Sequence, residues 1–315
     1  LVANGDNPTT ITRNLAEATA LAGHAAYSLS YAGLTVKPGI RVESIRTQIR
    51  DELAEGGPRS TTQTYVIVLP GLGATYEFTE HFAALAGVHR GFSPLAPGAG
   101  DSVQTETSLS YEAGVRYADE DMGLNAEVIG FVNDYQNFVT QCGGSGGCDA
   151  TDLDRQFNAG DVLIGGVELQ GSYELELGGD YTLPMHLSYT YTHAAFRTAF
   201  SESGDPQLGE VHVGDPVPYV PEHQWSLQLG LHANGWAVNA SGTYVGEMAE
   251  IADNSVRTDG YLIVDVTGSY TVADRFDVTL RLENLTNAQP LVSRRPFGAR
   301  GYRPFMIQVG VEVPL

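Results

Sequence analysis

Apolar and polar residues alternate with almost no break toward the C-terminus of the chain. In residues 276–283 and 307–315, one set of alternate positions is apolar and the other is polar or charged. Successive side chains of a β-strand point to opposite faces, so each segment has one apolar and one polar face. The same period recurs at 109–117, 167–177 and 225–232. Repeated amphipathic strands of about ten residues are typical of transmembrane β-barrels.

The alternation predicts about thirteen strands. They cover residues 15–31, 33–50, 63–79, 81–93, 105–118, 122–140, 158–177, 182–199, 219–233, 235–248, 258–273, 275–290 and 303–315. Short turns near 32–33, 79–80, 119–121, 234–235 and 273–274 alternate with long loops near 51–62, 94–104, 141–157, 200–218, 249–257 and 291–302. Asn234-Gly235 is a strong signal for a two-residue hairpin. We therefore expect an all-β fold, a transmembrane antiparallel up-and-down β-barrel.

The two kinds of connection predict how the barrel is oriented. Bacterial barrels carry long loops outside the cell and short turns in the periplasm. The last strand descends from the loop at 291–302, so we expect a periplasmic C-terminus. Trp225 and Trp236 begin strands of opposite direction, which predicts one tryptophan near each membrane interface. An odd number of strands does not close such a barrel, so we expect its N-terminal strands to be missing from this chain.

Composition narrows the classes of function. The formal net charge is −21, which argues against nucleic-acid binding, because contacts with phosphates need clustered lysine and arginine. No apolar stretch is long enough for a membrane-spanning helix. The eight histidines are scattered without metal-ligand spacing, and no nucleophile elbow or phosphate loop occurs. We therefore predict no enzyme activity, no metal site and no cofactor.

The two cysteines lie in one glycine-rich segment, with Gly-Gly-Ser-Gly-Gly between Cys142 and Cys148. So flexible a spacer allows the two thiols to meet, and a loop disulfide in an oxidising compartment is the favoured interpretation. A metal-binding pair is the weaker alternative, because no histidine or second cysteine pair lies nearby in the sequence.

Several segments together resemble one protein family. They are Leu-Pro-Gly-Leu-Gly at 69–73, Val-His-Arg-Gly-Phe-Ser-Pro at 88–94, Tyr-Glu-Ala-Gly-Val-Arg-Tyr at 111–117, Val-Pro-Tyr-Val-Pro-Glu-His at 217–223, Leu-Glu-Asn-Leu-Thr-Asn at 282–287 and Ser-Arg-Arg-Pro-Phe-Gly-Ala-Arg at 293–300. In this order and spacing the chain resembles TonB-dependent outer-membrane receptors, and the last segment is most similar to the ferric-dicitrate subgroup. The resemblance implies that residues 1–315 are one barrel domain, about thirteen C-terminal strands of a 22-stranded barrel, without the N-terminal plug domain.

The resemblance also implies a function. Such receptors import a ferric siderophore or a ferric dicitrate-like chelate across the outer membrane, with energy supplied through TonB. The implied partners are outer-membrane lipid, lipopolysaccharide, the receptor's own plug domain, the TonB complex and a small-molecule ligand. Two alternatives stay open from the sequence, namely a passive diffusion porin and a surface β-sandwich adhesin.

Two groups of residues are candidates for ligand binding. The first is the densest positive cluster of an acidic chain, Arg294, Arg295, Arg300 and Arg303. Their planar guanidinium groups suit the carboxylates of an anionic chelate. The alternative is that they hold the last loop by pairing with acidic loops or with lipopolysaccharide phosphates. The second group, His89, Arg90 and Phe92, lies at the outer end of an ascending strand, where packing at the rim is the alternative.

Overall fold

The structure, a computed structural model, describes residues 2–4, 7–9, 13–54, 57–100, 102–141, 156–200, 208–273, 275–294 and 298–313. These residues form twenty β-strands. The strands are β1 (Val2–Asn4), β2 (Asn7–Thr9), β3 (Asn14–Ala26), β4 (Leu29–Tyr31), β5 (Leu34–Asp51), β6 (Arg59–Glu77), β7 (Phe82–Ser93), β8 (Glu106–Asp119), β9 (Leu124–Gln136), β10 (Val139–Gln141), β11 (Gln156–Asn158), β12 (Val162–Gly178), β13 (Tyr181–Phe196), β14 (His223–Ala233), β15 (Trp236–Val245), β16 (Tyr261–Val272), β17 (Phe276–Glu283), β18 (Leu291–Ser293), β19 (Arg300–Gly301) and β20 (Met306–Glu312). Among these residues no helix is long and apolar enough to cross a membrane.

Fourteen strands form one antiparallel sheet in which each strand pairs with its neighbours along the chain. The order is β3, β5, β6, β7, β8, β9, β12, β13, β14, β15, β16, β17 and β20. β4 pairs with β5 beside β3, so β3 and β4 are two parts of one long strand. Thirteen strand positions result, as the alternation predicted. The other strands form the hairpins β1–β2, β10–β11 and β18–β19.

The connections separate by length, as predicted. One rim of the sheet, the short-turn rim, carries the connections 32–33, 78–81, 120–123, 179–180, 234–235 and 273–275. The other, the long-loop rim, carries the connections 52–58, 94–105, 137–161, 197–222, 246–260 and 284–305. The turn at 179–180 was not named among the predicted short turns, although the predicted strands 158–177 and 182–199 leave a short connection there. Gly178 and Gly179 both have positive φ there, which their lack of a side chain permits.

One face of the sheet, the outer face, is apolar. Its residues pair across the strands, for example Tyr111 with Val132 and Val132 with Gly165. Large apolar side chains on this face remain exposed, Leu229 by 42% and Leu280 by 44%. No second sheet covers this face among the described residues, which argues against a β-sandwich. A continuous exposed apolar surface on one face of a sheet is typical of strands that contact lipid. The predicted fold class is confirmed.

Aromatic residues lie at both ends of the outer face. Trp225 and Tyr244 stack near the long-loop rim, with ring centroids 5.8 Å apart. Tyr181 and Trp236 pack edge to face near the short-turn rim, with ring centroids 6.3 Å apart. The two tryptophans therefore lie toward opposite ends of the strands, as predicted. This arrangement corresponds to the aromatic belts that flank the apolar band of a membrane barrel.

The opposite face, the inner face, is polar near the short-turn rim and is covered by loops near the long-loop rim. Val162 and Phe196 pair across β12 and β13 on this face and are almost fully buried. Loop residues Val211, Val217 and Ala252 pack in the same apolar cluster. Two of the long loops therefore fold over the inner face and form a small hydrophobic core together with residues of β12 and β13.

Candidate functional site

The inner face carries a continuous polar surface across the middle strands. Arg116 of β8 and Glu127 of β9 are cross-strand partners, with Arg116 Nη2 2.5 Å from Glu127 Oε2. Gln170, His186 and Gln228 line the same depression on β12, β13 and β14. Charged, amide and imidazole groups in one such surface offer both donors and acceptors of hydrogen bonds to a polar ligand.

A loop covers the inner face of β5 and β6 at the long-loop rim. Tyr65 Oη accepts a hydrogen bond from the backbone N–H of Leu95 at 3.2 Å, and Gln63 Nε2 donates to the carbonyl oxygen of Ala99 at 2.9 Å. The same loop binds its neighbour, because the backbone N–H of Ala96 donates to Gln156 Oε1 at 3.0 Å. The long loops therefore support one another as well as the sheet.

Arg294 of the predicted arginine cluster joins two loops. Its guanidinium forms an ion pair with Glu250, and its Nη1 also donates to the carbonyl oxygen of Arg257 at 3.0 Å. Tyr219 Oη donates to the other carboxylate oxygen of Glu250 at 3.2 Å. Glu250 is buried, so Arg294 and Tyr219 stabilise a carboxylate that would otherwise be expensive to remove from water.

Arg303 and Arg300 have different surroundings. Arg303 Nη1 lies 3.0 Å from Glu283 Oε2, and its guanidinium lies over the ring of Tyr302, 5.8 Å from the centroid. Arg300 lies in β19, where it pairs with Ser293 of β18, and its exposed side chain forms no hydrogen bond or ion pair in the part of the chain that the structure describes. Arg295 lies outside the described residues. Of the three described arginines, Arg300 alone presents its guanidinium to solvent without a carboxylate beside it.

The connection that carries these arginines is organised by Asn284, a fully buried residue with φ of +49°. Its backbone N–H donates to Asp265 Oδ1 at 2.7 Å, and its Nδ2 donates to the carbonyl oxygens of Ala288 and Arg303 at 2.7 and 2.8 Å. Asparagine tolerates the left-handed conformation better than most residues because its short polar side chain can bond locally. This network explains why β17 ends at Glu283 and not at the predicted residue 290.

In the second predicted group, alternation along β7 separates His89 from Arg90 and Phe92. His89 pairs with Gly71 and Ser110 on the inner face. Arg90 pairs with Leu109, so it lies on the outer face, and Phe92 shares that parity. The structure therefore does not bring the three side chains into one site on the inner face.

His89 instead lies beside two residues that sequence reasoning missed. His24 pairs with Arg41 across β3 and β5, and Gly39 and Gly71 continue the row that contains His89. All five residues line one depression, and Ile40, Pro70 and Arg90 of the opposite parity line it as well. Arg41 Nε donates to Glu43 Oε1 at 2.6 Å, and both histidines are exposed. Only strand register brings these residues together, so no local sequence signal could have identified the group.

Two further predictions concern the cysteines and metal binding. Cys142 and Cys148 lie outside them, so the predicted disulfide remains a prediction. Within the described residues, no three histidine, cysteine, aspartate or glutamate side chains lie close enough together to hold a metal ion.

In loop 246–260, hydrogen bonds from the backbone N–H and the hydroxyl of Ser255 hold the pKa of Asp253 below its ordinary value.

The fold and the two faces define an outer-membrane β-barrel protein. The sequence model of the family described as "TonB dependent receptor-like, beta-barrel" matches residues 2–285. The chain therefore belongs to this family, whose members are outer-membrane transporters and not enzymes. The resemblance seen in the sequence motifs is confirmed.

Solved structures agree with this assignment of the fold. The siderophore receptor PiuA from Acinetobacter baumannii superposes with a TM-score of 0.78 at 16% identity, over 95% of this chain and 43% of PiuA. The ferric citrate transporter FecA gives 0.77 at 19% identity, over 98% of this chain and 47% of FecA. The copper transporter OprC gives 0.69 at 14% identity, over 95% of this chain and 48% of OprC. The chain thus spans less than half of each. A search of curated proteins found no match.

Proposed function

We propose that this chain forms part of the barrel wall of a receptor that imports an anionic metal chelate, of the ferric siderophore or ferric dicitrate class, with energy supplied through TonB. The observation that carries the proposal is the family match over residues 2–285 together with one sheet that has an apolar outer face and a polar inner face. The proposed orientation places the long-loop rim outside the cell and the C-terminus in the periplasm.

The class of ligand is supported by positive and imidazole groups on the inner face and in the last long connection. In the connection 284–305, the exposed side chain of Arg300 has no carboxylate beside it among the described residues. His24, Arg41 and His89 surround the glycine floor formed by Gly39 and Gly71, where no side chain obstructs a ligand. Guanidinium groups bind carboxylates through paired hydrogen bonds, and imidazole adds a donor or acceptor. Because the chain has a net charge of −21, an anionic ligand would be attracted to these positively charged positions.

The structural roles of Arg294 and Arg303 divide the predicted cluster. Both guanidinium groups lie against buried carboxylates, Glu250 and Glu283. We propose that they hold the loops in position and that Arg300 meets the ligand. Structural neighbours described as a siderophore receptor, a ferric citrate transporter and a copper transporter share this fold. The fold therefore does not determine the ligand, and the side chains of the binding site do.

Uptake by cells that carry the full-length receptor tests the proposal. Accumulation of radiolabelled ferric citrate or ferric siderophore should require the receptor and should stop when a protonophore removes the proton gradient. Arg300→Gln and His89→Gln should each weaken binding of the transported chelate, by about tenfold for the loss of one charge-assisted hydrogen bond. Inner-face Thr279→Ser, away from both groups, is the matched control. Uptake that continues without the proton gradient would support a passive porin and would reject this proposal.

A further inference from the structure

Arg90 is a charged residue on the face of the sheet that contacts lipid. It lies between Val88 and Phe92 on the outer face of β7 and pairs with Leu109 of β8. Its side chain is exposed and makes no hydrogen bond or ion pair with any residue that the structure describes. An arginine beside the hydrocarbon region is costly unless it reaches an anion or the interface. Its position close to the long-loop rim puts such an anion within reach.

The surroundings of Arg90 form a small polar pocket on the outer face. Thr107 and Gln136 are cross-strand partners at the end of β8 and β9, and they line the pocket with Arg90, Leu109 and Asp134. Among the described residues, the Thr107 hydroxyl and the Gln136 amide have no hydrogen-bond partner, and both present donors to the pocket. One guanidinium, one hydroxyl and one amide are the groups that bind phosphate oxygens.

The carboxylate in this pocket is already neutralised. Asp134 Oδ1 lies 3.0 Å from Arg197 Nη1, which reaches it from the end of β13. The next carboxylate on this side, Asp161, accepts a hydrogen bond from the backbone N–H of Asn137 at 3.2 Å. Neither is paired with Arg90. Within the part of the chain that the structure describes, the positive charge of Arg90 therefore has no carboxylate partner.

A shallow apolar depression lies directly below the pocket, toward the short-turn rim. Its floor on the outer face contains the small residues Ala113, Gly130 and Gly165. Ala113 pairs with Gly130 across β8 and β9, whereas Gly165 of β12 pairs with Val132 of β9. The rings of Tyr111 and Tyr191 stand at its sides. A polar, positively charged pocket continuous with an apolar trough matches a molecule that has a phosphorylated head and a hydrocarbon chain.

We propose that the outer face of β7, β8, β9 and β12 binds a phosphorylated outer-leaflet lipid, with its phosphate on Arg90, Thr107 and Gln136 and one acyl chain over Ala113, Gly130 and Gly165. The inference rests on the proposed orientation, in which the long-loop rim lies at the outer leaflet. Lipid binding by Arg90 on the outer face is separate from binding of the transported chelate, which we propose contacts the inner face.

Lipid binding by the full-length receptor tests the proposal. The receptor, purified in detergent, is titrated with bis-phosphorylated lipid A and with the same lipid after enzymatic removal of both phosphates, and binding is followed by native mass spectrometry. Arg90→Gln should weaken binding of the phosphorylated lipid about fivefold, the effect of one interfacial arginine. Arg281→Gln is the matched control, because it removes the same charge from the inner face, where Arg281 of β17 pairs with Thr267 and Gln308.

A second variant tests the trough. An added Cβ at Gly130 would meet only carbonyl oxygens of Ala113 and Gly166, both at 3.9 Å, so the strands leave room for a Cβ there, and Gly130→Leu fills the floor. It should weaken both forms of the lipid. Equal binding by Arg90→Gln and the parent receptor, no effect of removing the phosphates, or complete competition by inorganic phosphate alone would each overturn the proposal. The titration needs no transported chelate, so its failure is distinct from a failure of energised uptake.

Discussion

The guanidinium of Arg294 forms an ion pair with the carboxylate of Glu250, of which only 2% is exposed. The two residues belong to different long connections, 284–305 and 246–260, so one buried carboxylate ties two loops together. Removing one member of such a pair leaves a charge in a place that water does not reach.

Replacement of Arg294 should therefore loosen the long-loop rim more than replacement of Glu250. Arg294→Ala should destabilise the receptor by about 2 kcal/mol, below the usual range for a buried pair because Arg294 itself is half exposed. Glu250→Gln removes the buried charge and keeps the hydrogen-bonding shape, so it should cost about 1 kcal/mol or less. Limited proteolysis of the loops and urea unfolding of the full-length receptor in micelles measure the difference. Equal effects of the two variants would show that the buried charge is unimportant.

Asn284 should be the most sensitive position of the last long connection. Asn284→Ala removes the donors that reach Ala288 and Arg303, and it places a Cβ without a polar group at φ of +49°. We expect a loss of about 3 kcal/mol, from two partly buried hydrogen bonds that are lost and from backbone strain.

Asn284→Gly separates these two causes. Glycine adopts positive φ without strain, so this variant should lose the hydrogen bonds alone and be about 1 kcal/mol more stable than Asn284→Ala. The free energy of unfolding in urea provides the comparison. If alanine and glycine behave alike, backbone strain contributes nothing at this position.

Strand periodicity predicted the sheet because lipid on one side and polar surroundings on the other impose the same alternation on every strand. It failed where backbone geometry changes locally. The predicted strand 219–233 begins at His223 because Tyr219 has φ of +60° and Pro221 cannot donate to a strand partner. The short hairpin β18–β19 inside the last loop was missed, because its strands are too short to show a period.

Sequence reasoning predicted the candidate site less well than it predicted the sheet. His89 and Arg90 are adjacent in the chain and therefore seemed to form one group, yet adjacency in a strand places them on opposite faces. His24 and Arg41 join His89 only through the register of three strand pairs. The arginine cluster could be recognised because its residues are close together in the sequence. The carboxylates that pair with Arg294 and Arg303 come from other segments of the chain and could not be recognised in this way.

Gly166 should tolerate no side chain. A Cβ at this position would lie 2.0 Å from the carbonyl oxygen of Tyr191 and 2.9 Å from the ring of Phe131, so the strands would have to move apart. Gly166→Ala should destabilise the barrel by about 1–3 kcal/mol, as overpacking does elsewhere. Gly73→Ala on the same face is the control, because nothing lies within 4 Å of its added Cβ. The fraction of heat-modifiable receptor on a gel reports folding, and a normal fraction for Gly166→Ala would contradict the geometry.

Two adjacent residues in the middle of β14 test which face meets lipid. Leu229 lies on the outer face, where it pairs with Met185, and Gln228 lies on the inner face, where it pairs with His186. Leu229→Arg should cost about 2–4 kcal/mol, the cost of arginine near the midplane of the bilayer, whereas Gln228→Arg adds the same side chain to a polar wall and should cost under 1 kcal/mol. Folding of the full-length receptor into lipid vesicles, followed by tryptophan fluorescence, measures both. Similar insertion of the two variants would mean that the apolar face does not contact hydrocarbon, and with that result the assignment of the outer face would be wrong.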